Sequence, residues 1–364
     1  MNKLPYFVKK IPVDERPQEL LEHVYQEGAQ YFGTDFTSFE ASFTPELMLN
    51  SELKLFRYMT QNLPDQRWIQ VVEKVMTSTN VCVFRQFIAR LIARRMSGEM
   101  STSAGNGFTN ITSVEFCAEE IQTRSLLGRV DGDDGVFSCF GNIPAPEQFA
   151  ELGLNIKIVR YDGPTLGSFC GMVMDPHELI NVADPIDILL CAGWTTREYE
   201  NARPRKLLSL LKCKGYSYLY QYTGCPIVDA LARYILRVTK EVQYRIPSRT
   251  NAWQREKLEM LFLKYKSGLP YRATGPNTRL LMEKQFRVTV EDQLLSEKYL
   301  NSLNSVTPLD MPWLLKYVND DQKLSWDRYT FEKIHLPAEY IGTNYRSKSF
   351  IPAINSYAIQ HKAQ

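Results

Sequence analysis

Long apolar runs are missing from this sequence. No stretch approaches the ~18–20 apolar residues that cross a bilayer. Ile186-Asp187-Ile188-Leu189-Leu190-Cys191 is short and carries a charge. The first residues, Met1-Asn2-Lys3-Leu4-Pro5, lead into polar chain with no apolar signal core. Any membrane attachment is therefore expected to go through a partner. Histidine is scarce, at four (23, 177, 335, 361), with no His-Glu-x-x-His motif, which argues against structural zinc. The seven cysteines are scattered, odd in number and without a Cys-x-x-Cys pair, as in a reduced cytosolic protein with buried thiols. Net charge is only +2 over 364 residues, which argues against a tail-driven, histone-like binder of nucleic acid. Internal repeats and low-complexity tracts are absent.

What is present is an ordinary globular composition, 44% hydrophobic and 23% charged, with chain enough for two or three domains. Periodicity predicts a helix over 17–30, a short buried strand over 31–36 and helical spacing over 45–62. Residues 80–93 favour a strand pair, 97–102 a small-residue loop and 104–122 a helix. Two apolar runs, 126–130 and 136–140, flank Asp131-Gly132-Asp133-Asp134-Gly135, a strong hairpin signal. Residues 147–160 read as helix then strand, and 166–174 as strand. Helices follow over about 203–216, 225–243 and 251–266, then an irregular, Pro-rich tail. This order predicts an α+β domain followed by a helical one, with a boundary near 185.

Three segments carry chemistry. Adjacent aspartates at a tight turn repel unless a cation sits among them, and Mg²⁺ prefers few carboxylates plus substrate phosphates. Taken alone, Gly132-Asp133-Asp134 also fits a solvated acidic turn. An EF-hand is excluded, because counting from Asp131 the glycine position holds Val136 and the bidentate acid position Asn142. In Asp35-Phe36-Thr37-Ser38-Phe39-Glu40, an acid ends a buried strand and a second follows five residues on. The third segment, Ser97 to Gly107, is rich in small residues that let backbone approach a ligand, and places Thr102 and Asn106 four apart on one helical face. Asn110-Ile111-Thr112 is a formal glycosylation sequon that carries no weight without a secretory signal.

Taken in order, these segments resemble motifs A, B and C of viral RNA-dependent RNA polymerases: Asp35…Glu40, Ser97-Gly98…Thr102…Asn106, and Gly132-Asp133-Asp134. Leu152 to Lys157 looks like motif D, and Ser168-Phe169-Cys170-Gly171 like motif E, the primer grip. The wording from Ser97 to Asn106 is most similar to tombusvirus- and nodavirus-like polymerases of positive-strand RNA viruses. The resemblance covers about residues 20–175. It implies a right-hand fold: a palm over 31–185, built as an antiparallel sheet with packed helices, with a partial fingers insertion at about 62–96. Residues 1–30 become a remnant of the fingers leading into the palm, and 186–364 a mainly helical thumb with a C-terminal extension. It also implies template-directed RNA synthesis from ribonucleoside triphosphates by two-metal phosphoryl transfer. Asp35, Asp133 and Asp134 would hold Mg²⁺ or Mn²⁺. Glu40 and Asn106 would read the ribose 2′-hydroxyl, with Ser97, Gly98 and Thr102 in the nucleotide site. Lys157 would donate a proton to pyrophosphate, and Phe169, Cys170 and Gly171 would grip the primer. The family usually has Asp where this chain has Glu40, one methylene longer.

Charge is also uneven. Residues 193–272 hold 16 Lys+Arg against 6 Asp+Glu, an excess of +10, with tyrosines interleaved. Such a region suits phosphates of a template–product duplex, and also fits a solvated helix surface. Only 34 residues precede Asp35, and none matches the basic motif F of the family. An upstream replicase region or protein is therefore expected to supply fingers or membrane anchoring, in a replication complex of the host cytoplasm. Two other readings remain open: a reverse-transcriptase-like polymerase, and a non-polymerising RNA-binding palm fragment.

Overall fold

The computed structural model describes residues 6–96, 99, 101–193, 199, 202–243, 252–266, 268–320 and 322–324. Ser97 and Gly98 lie outside the described residues. The fold is mixed α/β, with antiparallel sheets and packed helices, and the chain divides into two compact units between Pro176 and His177.

The first unit begins with α1 (Arg16–His23), β1 (Gln30–Phe36) and four short helices: α2 (Phe39–Ser42), α3 (Pro45–Asn50), α4 (Glu52–Thr60) and α5 (Arg67–Met76). A hairpin follows, β2 (Thr79–Val83) and β3 (Ile88–Ile92), then α6 (Thr102–Glu120). A second hairpin, β4 (Arg124–Asp131) and β5 (Asp134–Phe140), leads to α7 (Pro146–Glu151), β6 (Ile156–Tyr161) and β7 (Val173–Met174). The main sheet is antiparallel throughout, in the order β4-β5-β1-β6. Strand alternation splits its side chains between two faces. On one, Phe32, Phe36, Phe137 and Cys139 pack with Ile111, Val114 and Cys117 of α6 and Phe149 of α7. Phe32 and Phe137 lie opposite one another and stack at 5.2 Å, each buried ring contributing roughly 2–3 kcal/mol. On the other, Val136 meets Val8, Leu20, Val24, Phe169 and Met174. Residues 6–8 run parallel along the outer edge of β4, where Val130 N–H donates to Tyr6 O at 2.7 Å.

The sequence reading needs correction at several elements. The helix expected over 17–30 ends at His23. The spacing over 45–62 is two helices broken at Ser51, whose hydroxyl donates to Leu47 O at 2.7 Å and accepts from Thr109 at 3.0 Å. The strand expected over 166–174 shrinks to Val173–Met174. Cys170 and Gly171 take positive φ there and fold the chain back, so that Phe169 and Met172 bond to each other.

The second unit holds β8 (Asn181–Val182), α8 (Pro185–Ala192), α9 (Pro204–Tyr222), α10 (Val228–Val238), α11 (Ala252–Lys264), α12 (Pro276–Phe286) and α13 (Val290–Ser302). Leu219 of α9 packs on Ala232 and Leu236 of α10. The expected irregular tail thus contains α12 and α13. Helix α13 escapes the periodicity test because its buried face is largely polar: Asp292, Gln293, Ser296 and Leu300. Its start is marked by Thr289, which accepts from Asp292 N–H at 3.3 Å. All seven cysteines are free, and Cys117, Cys139, Cys213 and Cys225 are buried. Among the described residues, no helix is long and apolar enough to cross a membrane.

Candidate active site

The site lies at one end of the four-stranded sheet. Gly132 sits at φ +74° in the two-residue connection between β4 and β5, a conformation glycine adopts without steric cost. The turn sets Asp131 directly opposite Asp134. One residue beyond the pair Thr34↔Gly135, the same register brings Asp35 beside Asp134, and Asp35 is paired with Lys157 on its other side. Paired residues share a sheet face. Asp131, Asp134, Asp35 and Lys157 therefore form one row across β4, β5, β1 and β6, in steps of roughly 5 Å. Asp133 projects at the turn beyond the row.

The four acids are not equivalent. Asp131 bonds Lys9 Nζ at 2.9 Å and the buried Arg16 Nη2 at 3.0 Å. Burial opposes its ionisation, but the bond to Lys9 and the two cationic charges hold its carboxyl below the ordinary range. Asp35 and Asp133 are exposed, and neither they nor Asp134 form a salt bridge among the described residues. Asp134 is pushed up to about 6, by burial first and then by Asp133, Asp131 and Asp35, with Arg16 pulling the other way. Between pH of about 4 and about 6 the folded chain thus keeps a proton that the unfolded chain has released. The contribution of Asp134 to stability falls as pH rises through that window. Asp134→Asn is expected to unfold at higher denaturant than the wild type at pH 7.5, by at most about 3 kcal/mol, with the difference closing towards pH 4. Denaturation curves at pH 4, 6 and 7.5 check this, and a gap that does not change with pH contradicts it.

An unneutralised group of acids with one suppressed ionisation is the donor set that suits a divalent cation. A tighter trio elsewhere, Glu19, Glu22 and His23 on α1, has ligand atoms within 4.8 Å of one another. Glu19 there is already paired with Arg129 at 2.9 Å. The oxygens of the row are less closely gathered.

Helix α6 carries the second group. Asn106 is 2% exposed and its Nδ2 donates to Glu40 Oε1 at 3.2 Å, which brings together two residues 66 apart in sequence. The longer Glu40 therefore still makes this contact. Asn106 Oδ1 is buried with no protein partner. Thr102 donates to Met96 O at 3.0 Å. Just before them in sequence, Arg95 forms a fully buried ion pair with Glu52, and burial pushes the Glu52 carboxyl up against the pull of Arg95. Gly105 packs directly on this pair, where a Cβ would overlap the Glu52 carboxylate.

Other expectations divide. Lys157 is exposed in the row, opposite Asp35. Phe169 is 0% exposed and belongs to the core, so its ring offers no surface to a nucleic acid; Gly171 is the exposed member of its turn. Cys170 Sγ lies 3.6 Å from Asp131 Oδ2, and burial first, then Asp131 and Asp134, pushes its thiol up to about 12. Four cations of the basic region are engaged within the protein. Lys212 donates to Lys240 O and Val242 O, Arg237 to the carbonyls of Leu300, Asn301 and Leu303, Arg233 to Pro270 O and Arg272 to Leu179 O. These cations brace loops and helix ends. Sequence reasoning missed Lys9, Arg16 and Asn110. Asn110 follows Asn106 by four residues on α6, and that spacing is the signal that could have found it.

No family model matches the chain, and no curated protein matches it. Among solved structures, it is similar to the RNA-dependent RNA polymerase of a human picobirnavirus, with TM-score 0.47 and 13% identity over 68% of this chain and 47% of that one. The insertion-loop deletion mutant of that polymerase gives TM-score 0.39 and 14% identity over 79% and 50%. The chain spans about half the length of these structures.

Proposed function

We propose that this chain is the palm-bearing part of a viral RNA-directed RNA polymerase, a nucleotidyltransferase that joins ribonucleoside triphosphates on an RNA template. One observation carries the reading. The fold brings Asp35, Asp134 and Lys157 into one row with Asp133 at its turn, and separately joins Glu40 to Asn106. These are the two groupings that the order of the sequence motifs calls for, and no local sequence constraint forces either.

Asp35 and Asp133, assisted by Asp134, would hold Mg²⁺ or Mn²⁺. When bound, such ions stabilise the attacking 3′-oxygen and the leaving pyrophosphate. Lys157 places a cation beside Asp35, where it offsets negative charge on the leaving group and supplies a proton. The Asn106–Glu40 pair leaves one buried acceptor without a protein partner, Asn106 Oδ1, which would take the 2′-hydroxyl. Thr102, with Ser97 and Gly98, would belong to the nucleotide site, as the motif order implies. The exposed backbone at Gly171 is the part of the primer-grip turn able to meet RNA.

The wording from Ser97 to Asn106 favours a polymerase of the tombusvirus- and nodavirus-like kind, from a positive-strand RNA virus. The first unit, which ends at Pro176 and not near 185, would be the palm with a fingers insertion at about 62–96, and the helices of the second unit would be the thumb. Such synthesis would take place in a replication complex of the host cytoplasm.

The test is extension of a primed RNA template by the purified chain, with ribo- and deoxyribonucleoside triphosphates in parallel. Extension with ribonucleotides in Mg²⁺ or Mn²⁺, abolished by EDTA, is the expected result. Extension with deoxyribonucleotides alone would make it a reverse transcriptase. RNA binding without incorporation under either metal would reduce it to a binding fragment.

A further inference from the structure

We propose that Asn110 is a positioning residue whose single side-chain amide sets the backbone at both Asp35 and Asp133. The proposal rests on the reading that these two aspartates hold the divalent cations.

Asn110 lies on α6 and is 0% exposed. Its Nδ2 donates to Asp133 O at 2.9 Å and to Gly132 O at 3.4 Å. These carbonyls belong to the two peptide groups that flank the Asp133 Cα. A hairpin tip normally leaves such carbonyls to water, free to tilt. Here one buried amide holds both planes, and with them the φ and ψ of Asp133 and the direction of its Cβ. The same Nδ2 lies 3.2 Å from Thr34 Oγ1, and the Thr34 hydroxyl meets Asn110 Oδ1 at 3.3 Å. Thr34 is the residue before Asp35. Strand alternation turns Thr34 towards α6 and Asp35 to the opposite face. The contact therefore fixes the strand at Asp35 without touching its carboxylate.

A purely space-filling role does not account for this choice of residue. The neighbours of Asn110 on α6, Ile111 and Val114, are apolar core residues, and leucine would fill a similar volume with better helix propensity. An amide is needed for what it donates. It ties the residues before and around two acids about 100 positions apart, across three elements, in a fully buried setting where the bonds are shielded from water. Asn106, one turn earlier on the same helix, faces Glu40 instead, so the two asparagines divide the work of α6.

The test uses the full chain and two isosteric variants, Asn110→Leu and Asn110→Asp. Two readouts are taken: Mn²⁺ affinity by calorimetry, and amide hydrogen exchange across residues 131–135. Both variants are expected to bind Mn²⁺ ~10–100-fold more weakly, the range for residues that orient metal ligands. Exchange across the turn is expected to rise at least ~10-fold while α6 stays protected. Should Asn110→Leu fail to fold, Asn110→Asp carries the test, since it keeps the bond from Thr34. Unchanged exchange across 131–135 in a folded variant overturns the proposal. So does a loosened turn with undiminished Mn²⁺ affinity, because positioning would then not reach the metal site. A wild-type chain that binds no Mn²⁺, with the turn still loosening in the variants, overturns the metal reading and supports the structural half of the proposal.

Discussion

Asp133→Ala is expected to lower primer extension by roughly 10³-fold or more while leaving the protein folded. Two observations set this direction. Asp133 is exposed at the turn, so truncating it removes no packing, and surface changes of this kind usually shift stability by less than about 0.5 kcal/mol. It is also one of the charges that push the Asp134 carboxyl upward, so its loss relieves repulsion in the folded state. The same argument singles it out from Asp131. That residue stands in the same row, yet Lys9 and Arg16 already neutralise it, and removing it would strand a buried guanidinium. Loss of activity at Asp133 without loss of stability therefore marks a residue whose charge is kept for a ligand. Extension assays beside thermal melts of the same preparation decide it. Extension at wild-type rate by Asp133→Ala would remove the metal assignment from this turn.

The parts of the site legible in sequence were those set by local chemistry. A Gly-Asp-Asp between two apolar runs forces a hairpin, because few residues but glycine take its positive φ cheaply, and Gly132 does so. An acid closing the strand that contains Phe32 and Phe36 announces a strand end at a polar site, which Asp35 occupies. The strand pair over 80–93 was readable from its β-branched residues. Legibility stops where a residue's partner is distant. Arg16 sits in a helix with ordinary polar neighbours, and nothing nearby tells that it reaches Asp131, 115 residues on. Asn110 is a polar residue on a core-facing helix, and in sequence it shows only as a formal sequon that carries no weight. Phe169 reads as part of a nucleic-acid grip, but the fold spends its ring on the core with Val136 and Met174. The basic count over 193–272 is only partly legible for a related reason. A sequence shows charges, and only the fold shows that Lys212 and Arg237 are committed to carbonyl oxygens. Helix α13 hid because a buried face of Asp292, Gln293 and Ser296 carries no apolar periodicity.

The second large effect concerns the sugar. Asn106→Leu is expected to lower the preference for ribo- over deoxyribonucleotides by roughly 10²-fold or more, chiefly through kcat/KM of the ribonucleotide. Sites built to hydrogen-bond a hydroxyl reject the analogue lacking it by up to ~10⁴–10⁵, because buried polar groups are then left unpaired. Asn106 has that character. It is 2% exposed, its Nδ2 is engaged with Glu40 at 3.2 Å, and its Oδ1 has no protein partner. A ribose hydroxyl can donate to that oxygen, whereas a deoxyribose leaves it buried and unsatisfied, at a cost of about 1–3 kcal/mol. Leucine keeps the volume, removes the acceptor and frees Glu40 from its donor. It thus takes away the ribose contact and the deoxyribose penalty together. The chain has Glu40 where a shorter acid is usual in the family it resembles, and the bond to Asn106 shows that the extra methylene preserves the pair. Glu40 alone cannot keep the preference in the variant, since without Asn106 it is held by no other described side chain. The measurement is kcat/KM for a ribonucleotide and its 2′-deoxy counterpart on one primed RNA template, in wild type and variant. An unchanged ratio, with incorporation still measurable, would separate Asn106 from sugar recognition and leave it a structural partner of Glu40.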